Sequence, residues 1–165
     1  MQIVFKKGKE QLHSLTCRRD DGTTTWSKLK GDFGPMHDLA HYVIETSLGF
    51  ERGFYGLLAL GYDITSFERE EDTSWIGGEG LYVECIVMGL QYQYSGVTTV
   101  ETFEQVINDA TRKHDIEPWM VFSPDQINVL VSRYNQILME WKQLPAGASM
   151  ILPFPDKKSR ISDNT

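Results

Sequence analysis

Two histidines four residues apart, in Pro35-Met36-His37-Asp38-Leu39-Ala40-His41, are the residues of this chain best suited to chemistry. Side chains at i and i+4 of a helix share one face with Cβ atoms about 5–6 Å apart, so two imidazoles at that spacing can converge on one metal ion. Around the same helix Asp38 and Glu45 flank the histidines, while Met36, Leu39, Ala40, Val43 and Ile44 fill the opposite arc. The polar set is therefore expected at the border of the core, where an ion gains partial desolvation and keeps a route to solvent. His37 falls in the first turn of the predicted helix, where the positive end of the dipole favours the neutral ring that a metal binds.

Two histidines do not complete a site. Glu45 is the first choice for a third metal ligand, because helical side chains lean toward the N-terminus and can reach back one turn. Ligands at i, i+4 and i+8 of one straight helix strain the geometry around a single ion, so Glu51, returned by a chain reversal at Gly49, competes. Glu84 is a third candidate, since a carboxylate within the apolar run Leu81 to Leu90 is costly unless paired or metal-bound. Gln91 shares its face, which also fits a solvent-exposed stripe. Asp38 can serve as a ligand, as the acceptor behind His41, or as general base for a metal-bound water, and Asp38 or Glu84 is expected to handle protons.

Only two cysteines occur, Cys17 and Cys85, so any divalent metal is held by imidazole and oxygen, with zinc ahead of iron or manganese. Both thiols read as small buried hydrophobes. A structural reading stands beside the metal one, because an acidic residue in the first turn stabilises a helix on its own. His13, on a predicted strand, and His114, at a helix end, read as structural. Tyr92, Tyr94, Trp75 and Trp119 read as packing residues. The acidic run at Glu68, Glu70, Glu71 and Asp72 lacks the spacing and glycine of a calcium loop. The phosphate-binding, dinucleotide-binding and serine-hydrolase glycine motifs do not occur.

The elements that must position these residues are those of one α+β domain spanning 1–165. A chain of 165 residues, 41% hydrophobic and 24% charged, has room for one core. Residues 1–30 alternate with a period near two and predict an antiparallel β-meander, with turns at Gly8-Lys9 and Asp20-Asp21-Gly22. About five helices pack on it over 35–145. The first is expected from Pro35, with Gly34 as N-cap, to Gly49. A second apolar segment, from Gly53 to about Ile64, is rich in small residues that allow close backbone approach. Residues 67–74 read as a solvated acidic connection, Gly77-Gly78 as a hinge, and a third helix runs from about Glu79 to Tyr94. Thr98 with Glu101 has capping-box spacing, and Ser123-Pro124-Asp125-Gln126 repeats that signal before a long stripe ending at Trp141. Residues 148–154 can close the sheet as an edge strand, and 156–165 read as a flexible tail.

A net charge of −7 and a pI near 5.1 disfavour nucleic acid, for which the sequence shows no basic patch. No apolar run is long enough to cross a membrane and the N-terminus has no signal-peptide pattern, so a cytoplasmic, bacterial-type protein is expected. Expected partners are an unidentified small molecule and, on an interaction reading, a second copy in a homodimer.

The run Pro35 to Glu45, followed by Leu48-Gly49-Phe50 and Gly53-Phe54-Tyr55-Gly56, resembles a set of uncharacterised bacterial proteins of similar size, over about the middle third of the chain. The five-residue His-Asp-x-x-His motif is also similar to that of the coenzyme Q biosynthesis accessory proteins, where it belongs to a zinc-type site completed by a downstream glutamate. That resemblance implies His37, Asp38 and His41 as ligands. The family's glutamate falls at Gly53 here, two residues beyond Glu51. HD-type phosphohydrolases share a His-Asp pair but need further upstream and downstream ligands, for which His13 is a poor substitute. Together these readings predict a divalent-metal-binding protein or metal-dependent enzyme. The alternative is a non-enzymatic interaction or regulatory domain in which the motif is structural.

Overall fold

Alternation builds the sheet. Ile3 and Phe5 of β1 (Gln2–Lys6), His13, Leu15 and Cys17 of β2 (Leu12–Arg18) and Thr25 of β3 (Thr24–Lys30) point inward and are buried, while the residues between them face out. The structure, a computed structural model, describes residues 1–68 and 74–155. Most of the acidic connection, residues 69–73, and the tail from residue 156 lie outside the described residues. Among those described, the strands are followed by α1 (Phe33–Leu48), α2 (Phe54–Ala59), two short 3-10 turns (Ile64–Glu68 and Ser74–Ile76), α3 (Gly77–Tyr94), α4 (Phe103–Lys113), α5 (Pro124–Gln143) and β4 (Ser149–Pro153). The sheet order is β3-β2-β1-β4, antiparallel throughout, so the C-terminal strand closes the edge beside β1 as the sequence suggests. This is the expected α+β architecture with an N-terminal meander.

Register decides more than order. The pairs Thr16↔Trp26, Val4↔Thr16 and Val4↔Ile151 run across the outer face, and Ser14↔Lys28 with Lys6↔Ser14 run parallel to them. Lys6, Arg18, Lys28 and Lys30 thus share one face that carries no Asp or Glu, although the whole chain is acidic. Among the described residues no ion pair engages these four cations. A basic patch that strand order scatters along the sequence is thereby assembled in space.

α1 is the central helix. Its residues Asp38 to Glu45 are buried without interruption, because the sheet, α2, α3 and α5 enclose it. The helix starts at Phe33 rather than Pro35, with Asp32 as N-cap and Pro35 as its third residue. That position tolerates proline because the first four N–H groups of a helix have no intrahelical partner. Gly49 ends it at φ 77°, donating its N–H to Glu45 O at 3.0 Å, a left-handed cap that suits glycine.

Other boundaries also move. Gly77 and Gly78 are the first residues of α3 rather than a hinge before it. The N-cap of α4 lies four residues beyond the expected one: Thr102 takes the place of Thr98, and no Thr98–Glu101 capping box forms. Thr98 Oγ1 instead meets Thr102 Oγ1 at 2.7 Å, while Thr102 Oγ1 accepts the Thr99 N–H at 3.0 Å, so the threonine hydroxyls close a turn on themselves. The box at Ser123 forms as read. Gln126 N–H donates to Ser123 Oγ at 3.2 Å and Ser123 N–H to Gln126 Oε1 at 2.9 Å.

Candidate metal centre

Close approach of two glycines sets the floor of the site. A Cβ on Gly53 would lie 2.5 Å from Glu45 Cδ, and one on Gly56 would lie 2.2 Å from Glu51 O. The chain can therefore press the N-terminus of α2 against the Glu45 carboxyl group, which accepts the N–H of Tyr55 at 3.1 Å and of Gly56 at 2.9 Å. These are donors that a helix start leaves unsatisfied. Glu45 is fully buried. Its Oε1 also lies 3.3 Å from Nδ1 of His41.

His41 is held from both sides. Its Nε2 lies 3.1 Å from Glu84 Oε1, a carboxylate supplied by α3. His37 repeats the pattern one turn earlier: Nε2 lies 3.7 Å from Glu84 Oε2, and Nδ1 lies 3.4 Å from the Gln91 amide oxygen, two turns along α3 from Glu84. The two imidazoles meet edge to face with ring centroids 4.9 Å apart. One donor atom from each of His37, His41 and Glu84 lies within 4.8 Å of the others.

Depth grades the site. His41 is 2% exposed, whereas the Glu84 side chain is 45% exposed. His41 thus lies deeper than the core border expected from the helical wheel, because α1 is enclosed rather than half-buried, whereas His37, its side chain 31% exposed, sits at that border as expected. Above them opens a cleft of about 290 Å³, whose polar lining includes His37, Asp38, His41 and Glu84.

The electrostatics follow from burial and partners. Desolvation, with the charge of His41, pushes His37 below the ordinary histidine range. Burial alone would do the same to His41, but the Glu84 charge and the hydrogen bonds to Glu45 and Glu84 outweigh it and raise it to about 10. For Glu84, burial pulls upward while the charge and hydrogen bond of His41, helped by His37, hold it down at about 2. Desolvation lifts buried Asp38 to about 7, with His41 opposing and Glu84 adding to the rise.

These directions predict a pH profile for the metal-free protein. Asp38, raised in the fold, contributes stability below about pH 4 that is lost as pH climbs toward 7. His41, also raised, contributes stability below about 6.5 that is lost toward 10, and Glu84, lowered, contributes above about 4.5 and loses it toward 2. In the presence of a chelator the melting temperature is therefore expected to fall from pH 5 to pH 9, less steeply below about pH 6.5, where His37, lowered in the fold, gains stability as it loses its proton. Asp38→Asn should remove the part of that fall below pH 7, and a melting temperature that rises from pH 5 to 7 would contradict the assignment.

Of the residues singled out from sequence, the structure brings together His37, His41 and Glu84, with Asp38 on the same cleft wall. Glu45 takes the opposite side of His41, bonding Nδ1 rather than joining the cluster at Nε2. The reason is geometric: the N-terminus of α2 offers two N–H groups within its reach, and a third ligand on the same helix would have to bend back. Glu51 stands outside the cluster, its backbone N–H donating to Glu79 Oε1 at 2.5 Å. Gln91 was legible only as a marker of an exposed stripe, and its seven-residue spacing from Glu84 is the signal that both face α1. His13 is buried in the core, where Nδ1 accepts the Gly8 N–H at 3.2 Å and the ring meets Trp141, and His114 caps the C-terminus of α4. Trp75 stacks on Tyr62, Trp119 packs on Tyr82 and Tyr94 on Tyr134, whereas Tyr92 is exposed. Cys17 and Cys85 are free and buried. No helix of the described residues is long and apolar enough to cross a membrane. No protein-family model, curated protein or solved structure matches the chain.

Proposed function

We propose that this protein binds one divalent cation through His37, His41 and Glu84, zinc ahead of iron or manganese, and uses it in a reaction on a small molecule in the cleft. The observation that carries the reading is the orientation of the two rings. Each has an oxygen acceptor at Nδ1, Glu45 for His41 and Gln91 for His37, and each turns Nε2 toward Glu84. Carboxylate or amide oxygens behind the ligating imidazoles are the usual support of a metal site, fixing the tautomer that leaves Nε2 as the lone pair. The donor atoms are near one another but wider than ligand spacing: one from each residue lies within 4.8 Å of the others, against about 3.3–3.6 Å for a tetrahedral ion with bonds of about 2.0–2.2 Å, and the 3.1 Å and 3.7 Å contacts reach different oxygens of Glu84, whose half-exposed side chain has to turn to bring one oxygen to both rings.

Three protein ligands leave one position open, the arrangement of catalytic rather than structural zinc. A bound divalent ion supplies Lewis acidity and an activated water there. Asp38, buried on the cleft wall and poised near neutrality, has the properties of a proton handler. Glu84 is already committed to both histidines, which suits a ligand better than a group that exchanges protons.

Metal analysis of the purified protein and of the His37→Ala, His41→Ala double variant tests this reading. One equivalent is expected in the wild type and none in the variant, and equal substoichiometric metal in both would end it. One observation favours a second reading. Glu84 and Glu45 together hold His41 as an imidazolium, and that triad could simply lock α1 in a non-enzymatic interaction or regulatory domain. The double variant would then lose thermal stability while metal content stayed near zero throughout, and a homodimer formed through Val129 and Met139, exposed on α5, would be the place to look for function.

A further inference from the structure

The cleft above the proposed metal site is lined by two kinds of residue: Ser27, His37, Asp38, His41 and Glu84 are polar, and Leu29 of β3, Phe54 of α2, Ile64 and Phe67 of the first 3-10 turn and Ile76 of the second are apolar. Phe54 joins them: its ring lies 5.5 Å from that of His41 and 4.8 Å from that of Phe67. The apolar wall thus begins against a proposed ligand ring and leads away from it.

Charge narrows what can enter. Among the described residues no Lys or Arg lines the cleft, so none of them offers a cationic partner to a second anionic group there. Size narrows it further, because about 290 Å³ stands at the lower limit of small-molecule pockets. The open coordination position calls for an oxygen donor.

We infer that the ligand is a small monoacyl compound, with a carboxylate or carbonyl oxygen on the ion and a short unbranched apolar chain along Phe54, Phe67 and Ile76. This inference rests on the metal reading above. Asp38 lies beside the head group, and the chain displaces water from the apolar residues, so affinity grows with chain length.

Calorimetric titration of the zinc-loaded protein with aliphatic hydroxamates of about two to eight carbons tests it, with zinc content measured after gel filtration at each step. Binding is expected to tighten about three- to fourfold per added methylene until the cleft is full. Phe67→Asn should flatten that gradient and Phe67→Leu keep most of it, both with unchanged zinc content. A flat series on protein that retains zinc would overturn the inference and leave the metal reading intact. Protein that takes up no zinc would remove the metal reading and this inference with it. An equal gradient in zinc-free protein would show that the head group is not on the ion, which also overturns the inference.

Discussion

Replacing Glu45 by alanine is expected to cost about 3–5 kcal/mol of folding stability, the range for breaking a buried charged contact by removing one partner. The carboxyl group is wholly buried and serves three donors at once: the N–H of Tyr55, the N–H of Gly56 and Nδ1 of His41. Alanine leaves all three without an acceptor, each at about 1–3 kcal/mol, and water regains some of them through the space the side chain vacates. Glu45→Gln keeps one acceptor oxygen but turns an NH2 group toward a donor, so a smaller loss of about 1–3 kcal/mol follows. Urea denaturation read by circular dichroism checks both. Gly53→Ala is the complementary variant, since its backbone is ordinary at φ −73° yet the new Cβ would overlap the same carboxyl group. A loss under about 0.5 kcal/mol for Glu45→Ala would show that the group does not organise the site.

Zinc is expected to raise the melting temperature of the metal-free protein by about 5–10 °C at a free concentration a hundredfold above its dissociation constant. Selective binding to the folded state contributes about 2.7 kcal/mol under those conditions, and each kcal/mol moves the transition of a chain this size by about 2–4 °C. Glu84→Gln and His37→Ala should each lose most of that shift. Glu84 is the more informative, because its half-exposed side chain can change without opening the core. The comparison is between shifts on adding zinc, not between melting temperatures, since removing Glu84 also frees His41 in the metal-free protein. A shift of the same size in the Glu84 variant would place the ion elsewhere.

Much of the fold is legible in the sequence because it is local. Alternation marks the three strands, Gly49 and Ser123 mark helix ends through backbone conformation and hydroxyl capping, and the stripe from Ile127 to Trp141 marks α5. Where threonines could pair with each other, at Thr98 to Thr102, local spacing misplaced the start of α4. The site was legible in the same measure. His37 and His41 follow from helical periodicity alone, whereas the choice among Glu45, Glu51 and Glu84 depends on which element packs on α1.

The sequence by itself determined that two imidazoles share one face of a helix, that only two cysteines are present, and that an α+β domain with an N-terminal meander carries them. Tertiary structure decided the rest. It drew Glu45 away to the start of α2, whose two N–H groups lie within reach of its carboxyl group. It set α3 against α1 so that Glu84 meets Nε2 of both rings and Gln91, seven residues on, meets Nδ1 of His37. It also gathered Lys6, Arg18, Lys28 and Lys30 on one face of an acidic protein. Each of these depends on register and packing between elements remote in the chain, where periodicity within one element carries no information.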